Sequence, residues 1–294
     1  MLDVLELVWY TNRDGEAFSF FKNRQRLQMI LEKNGASVPE EPRKKKDAIE
    51  GLSMKTEIMG LRFDNVTMEE AVRQGEAFLD GDRPAVVVTP NAEIAYDATK
   101  DSSFCTMLNE ADLMLPDGAG VVLASKLRKT PVKEKVAGID FATRMLAVFA
   151  RRGTRLFLLG SKPGVAEQAA KKMKEIAPGL VICGTADGYF QDDQLAVEKL
   201  RAANAQAVFV CLGAPKQEKF MFSHRSELPE VRLMAGLGGS LDGFAGNVKR
   251  APQWMIRLQL EWLYRLCREP KRIGRMMRLP KYICKAMFSK KQNA

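Results

Sequence analysis

Histidine is almost absent: the 294-residue chain has one, His224. Zinc sites built on several histidines, Ser-His-Asp triads and Cys-His dyads are therefore disfavoured. A carboxylate is the expected source of any catalytic base. The five cysteines, Cys105, Cys183, Cys211, Cys267 and Cys284, are odd in number and none stands in a CxxC pair. That reads as reduced, mostly buried thiols in a cytosolic protein. No apolar run approaches the roughly 20 residues of a membrane-spanning helix. The opening MLDVLELVWYTNRDGEAF lacks a basic start followed by a long apolar stretch, so no secretory signal is expected. The absence of GxxxxGK[ST] disfavours a P-loop ATPase. A cytoplasmic location is the expectation.

What is present is an ordinary globular composition, 46% hydrophobic and 28% charged, with an unusual placement of charge. The net charge is +10. Residues 246–294 hold 13 Lys/Arg against 2 Asp/Glu, whereas the other 245 hold 33 against 34. The whole basic excess lies in the last sixth of the chain. A basic segment so confined calls for an anionic partner: nucleic acid, an anionic membrane or a phosphorylated ligand.

Three regions are expected. Residues 1–53 hold a helical stretch near 16–33 and then SVPEEPRKKKDAIEG, a charged, Pro-containing linker. Residues 54–246 alternate strand and helix patterns. Strands are expected at 57–63 (a strand or hairpin), 85–89, 113–115, 155–159, 181–184, 207–212 and 232–236. Helices are expected at 67–79, 93–98, 120–127, 141–150, 165–176, 194–203 and 216–224. Short β-branched runs alternating with amphipathic helices predict an α/β fold, a mostly parallel sheet with helices on both faces. Residues 247–294 form a basic helical appendage, expected as continuous helix over 254–267 and 272–288 with Pro270 between. Truncation after about 247 is expected to leave a folded core.

Open α/β sheets bind ligands beyond the carboxyl ends of their strands. Four loops there are rich in Gly, Pro and polar groups: Thr89-Pro90-Asn91-Ala92-Glu93, Leu115-Pro116-Asp117-Gly118-Ala119-Gly120, Gly213-Ala214-Pro215-Lys216-Gln217-Glu218 and Gly236-Leu237-Gly238-Gly239-Ser240. Each runs toward a helix start, where free N–H groups and the helix dipole suit a phosphate. Taken singly they are equally ordinary turns, and Gly236-Leu237-Gly238-Gly239 does not complete GxGxxG. On local sequence alone, Asp117 reads most simply as a helix N-cap. Asp80-Gly81-Asp82 has the form of a metal-holding DxD but reads as a turn, and Asp192-Asp193 reads as a helix cap. Arg265, Arg268, Arg272 and Arg275 fall at helical spacing among apolar and aromatic residues, which suits an anionic membrane surface or a diphosphate.

TPNAEI, LPDGAGVVLASK, EKVAGIDF, GTADGYF, LGAPKQE, GLGGSLDGFAGNVKRAP and LEWLYRLCREPKR, in this order, resemble the WecG/TagA/CpsF family, glycosyltransferase family 26. The resemblance covers about 58–282 and leaves out 1–53. It implies a bacterial, inverting, metal-independent transferase with a Rossmann-like core, peripheral on the inner face of the cell membrane. The implied donor is UDP-N-acetylmannosamine, and the acceptor is N-acetylglucosamine on undecaprenyl diphosphate, as in teichoic acid linkage units or surface polysaccharide. By the same resemblance Asp117 is the catalytic base and Thr89 assists it. Asn91, Lys135, Gln217, Gly238, Gly239, Asp242, Arg265, Arg272 and Arg275 face substrate. Lys135 stands where the family often carries Arg, and it lacks the bidentate fork. No cofactor and no nucleic acid are implied, and a homo-oligomer is compatible. Other readings are a transferase of the N-acetylmannosaminuronic acid, a Rossmann dehydrogenase, and a non-enzymatic nucleic-acid or membrane-binding module.

Overall fold

The computed structural model describes residues 54–248, 251–258, 260–268 and 273–288. All lie in the second of two units into which the chain divides, Met1–Gly51 and Leu52–Ala294. The helix and linker expected before residue 54 lie outside the described residues.

β1 (Lys55–Ile58) and β2 (Leu61–Asp64) pair antiparallel. Met59 and Gly60 turn between them, both with positive φ (56° and 88°), the backbone a two-residue hairpin requires. The Asp64 carboxylate accepts the Met114 N–H at 2.7 Å, which fastens the hairpin to the main sheet. α1 (Met68–Phe78) opens on a capping box, Thr67 with Glu70. The chain then alternates through β3 (Ala85–Val88), α2 (Ala92–Ala98), α3 (Ser102–Asn109), β4 (Leu113–Met114), α4 (Ala119–Leu127), α5 (Gly138–Arg152), β5 (Leu156–Gly160), α6 (Val165–Ile176), β6 (Ile182–Ala186), α7 (Asp193–Ala202), β7 (Ala207–Cys211), α8 (Lys216–Ser223), β8 (Leu233–Gly236) and α9 (Ser240–Phe244).

Strands β3 to β8 form one parallel sheet in the order β4-β3-β8-β7-β5-β6. β3, β5, β7 and β8 are buried along their whole length, as parallel strands covered on both faces must be. Alternate side chains enter two core layers. Val86, Val88, Val208, Val210 and Met234 meet α2, α3, α4, α7 and α8. Val87, Leu158, Phe209 and Ala235 meet α1, α5, α6 and α9. The α/β architecture is the one expected. α3 was not anticipated: SSFCTMLN is poor in strong helix formers. It forms because the Asp101 carboxylate caps the Phe104 N–H and because Phe104 and Leu108 are buried. The Asp80-Gly81-Asp82 segment is a turn, with Asp80 paired to Arg152, and Asp192 caps α7.

The C-terminal segment departs from the continuous helices expected. It comprises α10 (Gln253–Arg257), α11 (Glu261–Arg268), α12 (Ile273–Met276) and α13 (Arg278–Phe288). The first break comes where the Leu260 N–H reaches back to the Met255 carbonyl and the Leu260 carbonyl starts the next helix. The second follows Gly274, a weak helix former, and α13 then restarts with Pro280 in its first turn, where proline's missing N–H is tolerated. α13 lies on α2 and α4, buries Tyr282 and Ala286 in the first core layer, and pairs Arg278 with Asp97 at 2.7 Å. Truncation after 247 would therefore strip part of that layer, contrary to the expectation of an intact core. The cysteines also differ from expectation: Cys211 is buried, Cys105 and Cys183 are half-buried, and Cys267 and Cys284 are exposed on α11 and α13.

Candidate active site

β3 and β8 are neighbours, yet after β3 the chain turns to α2 on one face and after β8 to α9 on the other. Neighbouring strands that part in this way leave a crevice at their carboxyl ends. Thr89, just past β3, donates its hydroxyl to the Gly236 carbonyl at the end of β8, 2.8 Å away, and is buried. The bond ties the two strand ends at the floor of the crevice. Gly138, first residue of α5, packs directly on Thr89: a Cβ there would stand 3.0 Å from the Thr89 hydroxyl. The Gly138 N–H donates to the Asp117 carboxylate at 3.3 Å.

Asp117 is thus not the N-cap of the helix that follows it. Gly118, with φ of 85°, takes that position at α4 and leaves the half-buried carboxylate turned to the start of α5. Asn91 caps α2, its carbonyl oxygen accepting from the Glu93 and Ile94 N–H groups at 2.9 and 3.1 Å. Its Cβ also lies 3.8 Å from where a Cβ on Gly118 would be, so it borders the Asp117 loop. Asn91 has a structural duty that its expected role at substrate did not include.

Gln217 is buried and joins the loop after β7 to the loop after β8. Its carbonyl oxygen accepts the Gly238 N–H at 2.9 Å, and its amide nitrogen donates to Glu218 at 2.8 Å. The Gly238 N–H, expected to face a phosphate, is committed to Gln217 instead. Gly239 begins α9 without a side-chain cap. Asp242, on α9, accepts from the Ser161 hydroxyl at 3.0 Å. The Ser161 carbonyl takes the Gly188 N–H, and Lys216 reaches the Gly188 carbonyl and lies 4.1 Å over the Phe190 ring. Two linked groups result. Thr89, Asn91, Asp117, Gln217 and Gly238 surround the β3/β8 crevice, while Asp242 belongs to the β5–β6 side with Ser161 and the exposed Tyr189.

Lys135 forms an ion pair with Glu261 of α11 at 2.8 Å, both partners being mostly covered. It also borders a cleft of about 390 Å³ with Glu134, Asp140 and Arg144, which neither Asp117 nor Thr89 lines. Arg265 and Arg275 lie on α11 and α12, but their side chains, and Arg272 as a whole, are outside the described residues. Among the described residues no group of three or more His, Cys, Asp or Glu is arranged to hold a metal ion.

A family model, glycosyl transferase WecG/TagA/CpsF family, matches residues 56–294. The chain belongs to this family. Among its relatives is a Bacillus subtilis (strain 168) protein named N-acetylglucosaminyldiphosphoundecaprenol N-acetyl-beta-D-mannosaminyltransferase, 43% identical over 205 residues, covering 70% of this chain and 80% of the relative. A protein of the same name from Bacillus spizizenii (strain ATCC 23059 / NRRL B-14472 / W23) is 39% identical, covering 74% and 84%. One from Staphylococcus aureus (strain MW2) is 32% identical, covering 81% and 94%. Membership sets aside the dehydrogenase and the binding module. Four residues of this candidate site escaped the sequence reading: Gly138, Ser161, Glu218 and Glu261. Gly138, Glu218 and Glu261 fall inside the recognised stretches, but what each does depends on groups far away in sequence: Asp117 and Thr89 for Gly138, the Gly238 loop through Gln217 for Glu218, and Lys135 for Glu261. Local pattern carried no signal for those roles.

Proposed function

We propose that the chain transfers N-acetylmannosamine from its UDP derivative to the 4-hydroxyl of N-acetylglucosamine on undecaprenyl diphosphate, inverting the anomeric centre. The names of its relatives supply the sugar and the acceptor, and they specify the N-acetylmannosaminyl group and not its uronic acid. The observation that carries the chemistry is Asp117: a carboxylate released from capping its own helix, held by the Gly138 N–H beside the crevice.

In this reading the acceptor hydroxyl gives its proton to Asp117 as its oxygen attacks the anomeric carbon from the side opposite UDP. One displacement needs one base and no covalent enzyme intermediate. Thr89 acts as a positioning residue, because its hydroxyl proton is engaged by Gly236 and its methyl side supports Gly138. Negative charge growing on the departing diphosphate needs fixed positive groups. With the Gly238 N–H engaged elsewhere, that role falls to Lys135 and the basic C-terminal segment. Lys135 already pairs with Glu261, so a phosphate arriving there would compete with that carboxylate for the ammonium. The donor would thereby loosen a contact between core and α11, which couples its arrival to movement of the segment that faces the membrane.

The test is UDP release from UDP-N-acetylmannosamine with and without lipid-diphosphate N-acetylglucosamine. Acceptor-dependent release is expected, and Asp117→Asn should lower it by about 10²- to 10⁴-fold, the usual worth of a general base. Undiminished release by the variant would remove Asp117 from the mechanism. Failure of the wild type with this donor would count against N-acetylmannosamine.

A further inference from the structure

We propose that Glu218 is a positioning residue for the transfer: its carboxyl oxygen holds the Gln217 amide in the one orientation that fixes the Gly236–Gly239 loop at the β3/β8 crevice. The inference rests on the reading of that crevice as the site of transfer.

Gln217 and Glu218 are each 1% exposed, so every polar atom of the Gln217 amide must find its partner within the protein. A backbone N–H can only donate. Gly238 therefore requires the carbonyl oxygen of Gln217, which stands 2.9 Å from it. That choice turns the amide nitrogen the other way, where it needs an acceptor, and Glu218 supplies one at 2.8 Å. The amide packs directly on Gly236: a Cβ there would come within 3.0 Å of the Gln217 nitrogen and 2.8 Å of the Met221 methyl, so only glycine permits this approach.

The consequences reach Asp117. The Gly236 carbonyl receives the Thr89 hydroxyl, Thr89 packs under Gly138, and the Gly138 N–H holds the Asp117 carboxylate. An unbroken chain of hydrogen bonds and close packing thus joins buried Glu218 to the proposed base. Glu218 occupies this place at a cost. Its second carboxyl oxygen is buried with no hydrogen-bond partner among the described residues, a costly arrangement. Without an acceptor at 218, Gln217 either leaves its NH₂ unpaired or flips and sets donor against donor at Gly238. In both cases the loop loses its anchor, and Gly238, at φ 55°, is no longer held.

Two variants separate this role from simple core filling. Glu218→Gln keeps an acceptor carbonyl. Its kcat and its KM for UDP-N-acetylmannosamine should stay within about twofold of wild type, since the interaction is retained. Glu218→Leu removes the acceptor but keeps the bulk. Its kcat should fall about tenfold or more, with both KM values within about twofold of wild type, as expected when the groups that hold the base are loosened. Hydrogen exchange at the Gly238 amide, read by NMR without substrate, should be protected in wild type and Glu218→Gln and open in Glu218→Leu. Wild-type kcat with a protected Gly238 in Glu218→Leu would overturn the proposal. So would equal impairment of the two variants. Should Glu218→Leu not fold, Glu218→Gln decides alone: activity with a protected Gly238 supports the role, and loss of either ends it. The exchange measurement needs no sugar nucleotide, so an error in the donor reading would leave protection intact and show only in the kinetics.

Discussion

Burial holds the Glu218 carboxyl above the ordinary glutamate range, with the Gln217 hydrogen bond opposing the shift only in part. The sign of the stability effect follows from proton counting. Between the unfolded and the folded pKa, the unfolded chain has released its proton and the native one has not. The native state then binds more protons, so unfolding free energy falls as pH rises. Glu218→Gln does not titrate at this position and escapes the loss. Its melting temperature relative to wild type should therefore climb as pH rises from about 4 toward neutrality, starting near the ordinary glutamate pKa. Thermal denaturation of both proteins across that range checks this. A difference that shrinks with pH would mean that the native state holds Glu218 ionised and paired. Cys211 illustrates the same physics without function: burial pushes its thiol up to about 12, so it stays protonated at neutral pH.

Packing between elements sets the next level, and Gly120 is one of its closest contacts between helices. A Cβ on Gly120 would stand 2.4 Å from the Leu279 methyl of α13 and 2.6 Å from the Ala92 Cβ of α2. Leu279 can swing aside, but Ala92 is carried by its backbone and cannot. Gly120→Ala should cost about 1–3 kcal/mol, as overpacking of a filled core does. The companion change Leu279→Ala should not restore stability. Recovery in the double variant, measured by denaturant unfolding, would mean that α2 yields and α13 alone set the limit. This contact also shows what the sequence could and could not tell. The buried runs AVVV and AVFVC announced parallel strands because no exposed position interrupts them. The loops at their ends were marked by Gly, Pro and Asp, which placed Thr89 and Asp117 at one edge of a sheet. α13 read as part of a basic surface segment because its charged residues, Arg278, Lys281 and Lys285, are all cationic. Its Tyr282, Ala286 and Leu279 gain their meaning only from Gly120 and Ala92, over 150 residues away. α3 was hidden for a related reason, since its stability comes from burial of Phe104 and Leu108 and not from helix-forming residues.

At the scale of the molecule, the charge asymmetry and the exposed apolar surface coincide. Among the described residues of the C-terminal segment, Trp254, Leu258, Trp262, Ile273, Met277 and Phe288 are exposed, Phe288 at 81%. No described helix is long and apolar enough to cross a membrane. Residues 246–294 nevertheless carry 13 Lys/Arg against 2 Asp/Glu. Cations and apolar side chains act differently at a lipid surface, and the difference is measurable. Each Lys or Arg near an anionic surface contributes about 1 kcal/mol and is screened by salt, whereas buried tryptophan area is largely indifferent to salt. The proposed docking therefore predicts binding to vesicles containing phosphatidylglycerol, weak binding to phosphatidylcholine alone, and a steep loss between about 0.05 and 0.5 M salt, over which the Debye length shrinks severalfold. Changing Trp254 and Trp262 together to alanine should weaken binding at every salt concentration and leave the slope with salt unchanged. Neutralising exposed Lys281 and Lys285 should flatten that slope. Salt-independent binding by the wild type in a vesicle sedimentation assay would refute the electrostatic half of the argument. A tryptophan variant that bound as tightly as wild type would refute the other half. Loss of both would leave the Lys135–Glu261 pair as a contact that only serves the fold, with no membrane event for it to sense.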